Sequence, residues 1–266
     1  MPNQNQTLKV SKATQVRVVE DLIESSRLSV DFYLMLVLSS VVVALGLIIN
    51  NLAVIIGGML ITPLLTPILT LALGVVVADN NLIWRSVKII LRSLGIVAGV
   101  AFIISFLFPI EKINSEIASR LGFNLPYFLV AFTAGLAATF AWSKKGLSAM
   151  LPGVAIAVSL LPPLAIIGIG VSHLSMVLLR GSLVSFIFNL LGIFLGSVII
   201  FSLLHFHKSR KETAKKVKAE IRQEQQKKDE KVKKEIKKEI AQEEEVKEEI
   251  KEEIKEEIKE EKKKKK

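Results

Sequence analysis

Long apolar runs separated by short polar segments make up most of the chain between residues 31 and 207. A helix needs about 20 consecutive apolar residues to cross the roughly 30 Å hydrocarbon core of a membrane. By that measure the pattern predicts six spans, at residues 32–49, 52–78, 82–108, 127–142, 147–171 and 176–206. We therefore expect an all-α membrane protein in which residues 110–126 form the longest connecting loop.

The second run, residues 52–78, contains 27 residues and no charged one. As one straight helix it would be about 40 Å long, which is more than the membrane core requires. Pro63 and Pro67 lie in its middle, and each lacks the N–H group that would close a helical hydrogen bond. We expect the helix to break there, with the freed backbone groups facing protein or water because lipid cannot hydrogen-bond to them.

A shift of 96 residues aligns this segment with a second one, whose prolines are Pro162 and Pro163. The matched pairs are Gly57 with Gly153, Leu64 with Leu160, Leu65 with Leu161, Pro67 with Pro163 and Gly74 with Gly170. The match indicates an internal duplication, with repeats at about residues 31–109 and 127–206, although two apolar segments can also share prolines and glycines by composition. Three spans per repeat is an odd number, so we expect inverted repeats, each with a proline-broken second helix.

Charged residues are concentrated at the end of the chain. Overall, 51% of the residues are hydrophobic and 23% are charged, with a mean hydropathy of +0.48. Residues 208–266 hold 23 of the 35 Lys and Arg residues and 18 of the 25 Asp and Glu residues. We divide the chain into an amphipathic lead-in at 1–30, a membrane domain at 31–207 and a Glu/Lys-rich tail at 208–266. The tail is expected to be a single helix or disordered; binding to a soluble partner or to anionic lipid is the alternative.

The distribution of basic residues predicts the orientation. The basic segment after the sixth span indicates a cytoplasmic C-terminus, and an even number of spans then places the N-terminus there too. Two internal turns that would face the cytoplasm in this orientation are also rich in basic residues, namely Arg85, Lys88, Lys144 and Lys145. The first 30 residues lack the apolar core and cleavage site of a signal peptide, so the first span is expected to remain as an anchor in the cell membrane.

The sequence shows no pattern typical of catalysis or metal binding. It contains no cysteine and three histidines, and His205 and His207 are two residues apart, a poor metal spacing on a helix. No Asp or Glu lies inside a predicted span away from its ends. We therefore expect no enzymatic activity, no cofactor, no metal and no nucleic-acid partner. The lipid bilayer is the expected partner, and the small bundle is compatible with a homo-oligomer.

The two proline breaks form the candidate binding site. An interrupted helix exposes N–H and C=O groups, which can hold an ion without a charged side chain. The alternative is that the prolines only kink helices whose carbonyls bond to nearby hydroxyls. The candidate substrate-binding residues are Gly57, Gly58, Thr62, Pro63, Thr66, Pro67, Arg92, Gly153, Ser159, Pro162, Pro163 and Asn189. Of these, Arg92 either neutralises an anionic substrate or extends to the membrane surface.

The most specific part of the sequence is GGMLITPLLTP, which lies within ALGLIINNLAVIIGGMLITPLLTPILTLALGV at residues 44–75. Together with LPGVAIAVSLLPPLA at residues 151–165, it resembles the family called the uncharacterised hydrophobic domain, domain of unknown function number 389. The resemblance covers roughly residues 30–206 and implies a multi-spanning prokaryotic membrane protein with no assigned activity. Some relatives carry a longer soluble region before the membrane domain.

The duplicated proline breaks predict a transporter or channel for a small solute or ion, with its site between Pro63/Pro67 and Pro162/Pro163. The alternative is a non-transporting membrane scaffold or sensor that recruits a soluble partner through the charged tail. The sequence assigns neither the substrate nor a coupling ion.

Overall fold

A computed structural model describes residues 12–25, 29–110, 112–144 and 150–206, and for residues 150–159 the description is limited to the backbone. Within these ranges every regular element is a helix, which confirms the all-α class there. The helices are α1 (Lys12–Ser25), α2 (Val30–Ile48), α3 (Leu52–Ile61), α4 (Leu65–Val76), α5 (Asn80–Leu107), α6 (Ser115–Ala118), α7 (Leu125–Ser143), α8 (Met150–Ser172) and α9 (Met176–Leu203). The tail at 208–266 lies outside the described residues, so its conformation stays a prediction.

Short polar side chains set the starts of most helices. A side-chain oxygen of the residue before each helix accepts a hydrogen bond from the backbone N–H three residues further on, which satisfies one of the free donors of the first turn. These capping residues are Ser29, Asn51, Asp79, Asn114, Asn124 and Ser175. The helices therefore begin where the sequence places a polar residue before an apolar run.

Three of the helix-to-helix turns share one geometry. In the turn between α4 and α5, Ala78 adopts a left-handed φ of 51°, and the Asp79 N–H donates to the Gly74 carbonyl at 3.0 Å. A Cβ on Gly74 would lie 3.2 Å from the amide nitrogen of Ile83, so the next helix returns close to this glycine. The same arrangement recurs with Gly46, Asn50 and Asn51, and with Gly170, Leu174 and Ser175. The spacing of glycine, left-handed residue and cap thus folds consecutive helices into tight hairpins.

One end of the bundle, called the α6 end, joins three connections: residues 49–51, 108–124 and 173–175. The Asn114 amide donates to the Leu47 carbonyl at 2.6 Å, and the Ser115 hydroxyl donates to the Asn50 side chain at 3.1 Å. At the close of α5, the Ile110 N–H donates to Nε2 of His173 at 3.3 Å. The ends of α5 and α8 therefore lie at the same end of the bundle.

The other end, called the α1 end, holds α1, the 77–79 turn and the close of α9. The Gln15 amide donates to the Leu204 carbonyl at 3.0 Å, and the Thr70 hydroxyl oxygen lies 3.2 Å from the Leu22 carbonyl oxygen. The predicted amphipathic lead-in is thus helical from Lys12, with its apolar face packed on the bundle. Its buried apolar residues are Val18, Val19, Leu22 and Ile23.

Within the part of the chain that the structure describes, four helices are long and apolar enough to cross a membrane: α2, α5, α7 and α9. The bent pair α3 and α4 makes a fifth if it is counted as one span, and the fully described part of α8, Leu160–Ser172, is a shorter apolar helix. Large apolar side chains such as Trp84, Phe106 and Val177 are exposed on these helices. Such helices belong in a bilayer, so the protein is a helical membrane protein.

The expected break at Pro162 and Pro163 is wrong, because α8 runs as one helix from Met150 to Ser172 with both prolines inside it. With a shift of 96 residues, Ser159 occupies the position of Pro63, which is where the first segment is interrupted. Buried neighbours, among them Leu160 and Leu161, hold this part of α8 in the core. Packing therefore preserves a helix that local proline chemistry disfavours.

The helices of the two halves correspond in position and in packing. The helices α5 and α9 each contain 28 residues and begin 96 residues apart. Helix α5 packs against α2, α4 and α8, and α9 packs against α7, α8 and α4. The seven buried residues of α5 are Leu82, Ser86, Ile89, Ser93, Val97, Ala101 and Ser105, and each residue 96 positions later on α9 is buried as well.

Candidate functional site

The first proline segment is interrupted at residues 62–64. Helix α3 ends at Ile61, α4 begins at Leu65, and their axes differ by 57°. Pro63 cannot donate to the Met59 carbonyl, which instead accepts the N–H of Thr62 at 3.3 Å. By residue count, the interruption lies about 16 Å from the 49–51 turn, so it falls near the middle of the bundle.

Pro67 contributes in another way, because it lies in the first turn of α4, where helical N–H groups have no acceptor in any case. The carbonyl that a helical N–H at position 67 would reach is that of Pro63, and the Thr66 hydroxyl bonds to it at 3.4 Å. The Thr70 hydroxyl donates to the Thr66 carbonyl at 2.7 Å. Thr66 therefore replaces a lost backbone bond, as the sequence suggested, whereas the Thr66 carbonyl that Thr70 contacts can still accept the helical N–H of residue 70.

Thr62 differs from these two threonines. Its hydroxyl oxygen is buried and has no hydrogen-bond partner among the described residues. The neighbouring N-cap residue of α4, Leu64, offers no side chain to the free N–H groups of that helix. A polar group in this condition costs about 1–3 kcal/mol, so the interruption is energetically unfavourable unless something else binds there.

The prolines of α8 remove two helical hydrogen-bond donors. Pro162 and Pro163 have no N–H to donate to the carbonyls of Val158 and Ser159, four residues earlier. Both prolines are buried. These carbonyls precede Ser172 at the α6 end by 13 and 14 residues, or about 20 Å along the helix. The lost helical bonds of α8 thus fall at about the same level as the interruption between α3 and α4.

The flanking helices place two polar side chains at this level. Ser93 and Asn189 each follow the first residue of a 28-residue helix by 13 positions, so each lies about 20 Å from either end. Ser93 is 1% exposed, and its hydroxyl has no hydrogen-bond partner in the described part of the chain. Asn189 is 5% exposed. Because the halves match at a shift of 96, Ser93 and Asn189 occupy equivalent positions.

The remaining candidate residues fall into three groups. Gly58 packs against Val43 and the backbone of α2, while Gly57 is half-buried with open space beside it. Gly153 and Ser159 lie on the part of α8 described by its backbone alone. Arg92 is exposed and faces away from the buried surface that carries Ser93. The structure thus brings Thr62, Pro63, Pro162, Pro163 and Asn189 to one level and leaves Arg92 outside.

Sequence reasoning missed Ser93 as a candidate residue. The signal for it is the spacing of Ser86 and Ser93, two small polar residues seven apart, which places them on one face of an apolar helix. Both are buried, and both hydroxyls lack partners among the described residues. Other buried serines of the described helices, such as Ser105 and Ser182, make hydrogen bonds, so the absence of a described partner distinguishes these two.

The helices α5 and α9 each carry a pair of glycines four residues apart, and the two pairs behave differently. Gly192 and Gly196 lie against the backbone of α7, as expected for close helix contact. Gly95 and Gly99 have nothing within 4 Å of where a Cβ would lie. Among the described residues, Gly192 and Gly196 therefore pack α9 against α7, whereas Gly95 and Gly99 leave an open face of small residues on α5.

No ionised side chain is buried at the middle level among the described residues. The buried charged groups are Asp79, which caps α5 at the α1 end, and Arg120, which pairs with Glu116 at 3.1 Å near the α6 end. The search of the described residues finds no group of three or more metal-ligating side chains. The candidate site therefore consists of neutral hydroxyl, amide and backbone groups.

A comparison with known protein families gives a match that covers this region. The family model described as "Domain of unknown function (DUF389)" matches residues 59–195, which run from the end of α3 to the middle of α9. The chain belongs to this family. The match includes the interruption, the proline pair of α8, Ser93 and Asn189, so the candidate site lies wholly inside the family domain.

A relative from Methanocaldococcus jannaschii, "Uncharacterized protein MJ0678", is 33% identical to the chain over 196 residues. The similarity covers 72% of this chain and 60% of that relative, so the chain spans less than two thirds of the relative's length. No solved structure matches the chain. The family's description names no activity, so the function must be argued from the site.

Proposed function

We propose that the protein is a transporter or channel for a small solute or ion, with its site halfway along the bundle between the α3–α4 interruption and the proline pair of α8. It has six spans in two inverted repeats and lies in the cell membrane with both termini in the cytoplasm. The observation that carries this proposal is the interrupted helix at residues 62–64, where Thr62 keeps a buried hydroxyl that no described residue contacts by a hydrogen bond.

The two matching turns support the inverted repeat. Residues 77–79 lie at the start of α5 and residues 173–175 lie near its close, since the Ser172 and Ser105 hydroxyls are 2.9 Å apart. The length of α5, about 42 Å, therefore separates two turns of the same geometry. Copies of one unit related by a two-fold axis in the membrane plane have this property, and transporters of this kind bind substrate at the repeat interface.

The cost of the interruption favours transport over a scaffold. Lipid satisfies no backbone group, so free N–H and C=O groups at this depth must face protein, water or a ligand. A scaffold gains nothing from an unsatisfied group in its core, whereas a transporter uses such groups to replace the hydration of its substrate. The scaffold alternative depends on residues 208–266, which lie outside the described part, and the experiment therefore includes their deletion.

The test uses the full chain in proteoliposomes. Vesicles are exposed to osmotic steps of sodium chloride, potassium chloride, potassium phosphate, glycine or glycerol, and solute entry is followed by light scattering. We expect at least one solute to enter faster than in protein-free vesicles. Deletion of residues 208–266 should leave that rate unchanged, because the proposed site lies within the bundle.

Two proline substitutions locate the activity. Pro63→Ala removes the cause of the interruption and should lower the rate at least about tenfold, a loss of about 1.4 kcal/mol of stabilisation. Pro126→Ala is the matched control, since Pro126 lies at the start of α7, where proline is readily accommodated. Entry of no solute, or equal rates for Pro63→Ala and the unmodified protein, would overturn the proposal.

A further inference from the structure

Basic residues lie on one outward face of α5, close to the α1 end. Arg85, Lys88 and Arg92 follow one another at intervals of three and four residues, which places them on the same side of a helix. Lys88 and Arg92 are exposed and Arg85 is half-buried, whereas Ser86 and Ser93 on the inner side are buried. These positive charges therefore extend over about 10 Å of the outer surface of the bundle.

The same face continues as an apolar surface toward the middle of the membrane. Trp84 and Leu91 are exposed beside the basic residues. One and two turns further along, Gly95 and Gly99 have nothing within 4 Å of where a Cβ would lie, and Phe106 beyond them is exposed. The basic cluster is thus followed by a shallow groove with room for an acyl chain.

The position of the cluster along α5 matches the level of lipid headgroups. Helix α5 has 28 residues and is about 42 Å long, about 12 Å more than the membrane core. With the helix centred, the core begins near Trp84, a residue type that prefers this boundary. Lys88 and Arg92 then lie about 6 and 12 Å inside it. Their side chains lean toward the start of the helix, so the charged groups reach back toward the headgroups.

The described part of the chain offers these two residues no negative partner. Lys88 and Arg92 form no ion pair or hydrogen bond with a described residue. The acidic residues at this end of the neighbouring helices, Asp31 of α2 and the cap Asp79, pair with neither. A charged side chain at membrane depth is costly without a partner, so the cluster favours a negatively charged group from outside the chain.

The equivalent helix α9 lacks such a cluster. The residues 96 positions after Arg85, Lys88 and Arg92 are Gly181, Val184 and Phe188. The fold therefore forms its second long helix without these charges, which indicates a role specific to α5. A second copy of the chain, related by a two-fold axis beside this face, would bring identical positive charges together, and like charges across an interface are unfavourable.

We propose that this face of α5 binds a phospholipid whose headgroup carries a net negative charge. Its phosphate contacts Lys88 and Arg92, and an acyl chain lies along Gly95 and Gly99. Guanidinium and ammonium groups both form charge-assisted hydrogen bonds to phosphate oxygens. A zwitterionic headgroup adds a positive charge of its own, which the cluster disfavours. The inference goes beyond the proposed function, since it does not depend on which solute crosses the membrane.

Trp84 allows a local measurement. The chain contains two tryptophans, so Trp142→Phe leaves Trp84 as the remaining one. The full chain with this substitution is reconstituted into vesicles of phosphatidylcholine and phosphatidylglycerol, in which one lipid or the other carries bromine atoms close to its headgroup. Bromine quenches tryptophan fluorescence at short range, so the ratio of the two quenching levels reports the lipid beside Trp84. We expect stronger quenching by brominated phosphatidylglycerol at equal content.

Substitutions of the basic residues test the location. Lys88→Gln and Arg92→Gln should each lower the preference for phosphatidylglycerol about fivefold, which corresponds to about 1 kcal/mol. Arg92→Lys keeps the charge and should retain most of the preference. Lys144→Gln is the matched control, because it removes one positive charge at the close of α7, outside the cluster. If Arg92→Gln fails to fold, Lys88→Gln on the exposed surface gives the same test.

Several outcomes would overturn the inference. Equal quenching by the two brominated lipids would show that the face does not distinguish headgroups. Weak quenching by both lipids would show that a second copy of the chain covers it. An unchanged preference in Lys88→Gln and Arg92→Gln, or an equal loss in Lys144→Gln, would show a general attraction of the membrane surface. The measurement involves no transported solute, so it and the test of the proposed function can fail separately.

Discussion

Ala78 and Leu174, which are 96 residues apart, adopt the same left-handed conformation, with φ of 51° and 50°. Each follows the close of a helix and precedes the residue that caps the next one, Asp79 or Ser175. The N–H of each cap returns to a glycine carbonyl, at 3.0 Å from Asp79 to Gly74 and at 2.9 Å from Ser175 to Gly170. Two turns with unrelated residues at the left-handed position thus share one backbone path.

This conformation predicts that Leu174→Gly stabilises the protein. A left-handed φ costs a non-glycine residue about 1 kcal/mol, and Leu174 is 87% exposed, so little packing is lost. The free energy of unfolding, measured by denaturant titration in detergent, should rise by about 1 kcal/mol. As a control, Leu183→Gly in the right-handed interior of α9 should lower it by a similar amount. A decrease for both variants would contradict the prediction.

The positions of the two turns predict their accessibility. The chain contains no cysteine, so single-cysteine variants report one site at a time. Ala78→Cys and Leu174→Cys should react with a membrane-impermeant maleimide from opposite sides of sealed vesicles, because the length of α5 separates the turns. Ile113→Cys, in the segment at the α6 end, should react from the same side as Leu174→Cys. Labelling of positions 78 and 174 from one side would rule out the inverted repeat.

The continuity of α8 predicts the effect of restoring the proline that it lacks. Ser159→Pro places a proline at the position equivalent to Pro63, inside a continuous helix. It should lower the free energy of unfolding by about 3 kcal/mol, since the proline removes a further hydrogen bond and collides with the preceding turn. Pro67→Ala, in the first turn of α4, should change stability by much less. Equal stability of Ser159→Pro and the unmodified protein would show that α8 is already broken there.

The contacts of His173 predict that Nε2, which accepts a hydrogen bond, contributes to the stability of the protein. Nε2 accepts the Ile110 N–H at 3.3 Å, and Nδ1 lies 3.1 Å from the Ile169 carbonyl. An N–H always donates, so the neutral ring must carry its proton on Nδ1. His173→Phe leaves the Ile110 N–H without this partner and should cost about 1–3 kcal/mol of unfolding free energy. His173→Gln retains an acceptor oxygen and should cost less; equal losses would mean that this hydrogen bond contributes nothing.

The sequence predicted the helices well because their signals are local. Apolar runs bounded by Asn51, Asp79 or Ser175 mark where a helix begins, whatever surrounds it. The turns between them are equally local, since a glycine four residues before the left-handed position suffices for the close return of the next helix. The interruption at Pro63 also follows from local chemistry, because a proline in an apolar helix loses a hydrogen bond that lipid cannot replace.

The candidate site was predicted less completely, for reasons that particular residues illustrate. Pro162 and Pro163 were expected to break their helix, but Leu160 and Leu161 pack it into the core and keep it continuous. Arg92 was included because it lies inside a span, yet it faces outward. Ser93 was omitted because its spacing from Ser86 indicates a shared helix face but does not show whether that face is buried.

The sequence alone determined where the helices lie, which residues cap them and where the first proline interrupts its segment, because each of these depends on neighbours within a few residues. Only the tertiary structure decided that α8 stays continuous, that the hydroxyls of Ser93 and Thr62 find no partner among the described residues, and that these groups and Asn189 share one level of the bundle. Those properties depend on which helix faces which, and contacts between residues far apart in the chain set that arrangement.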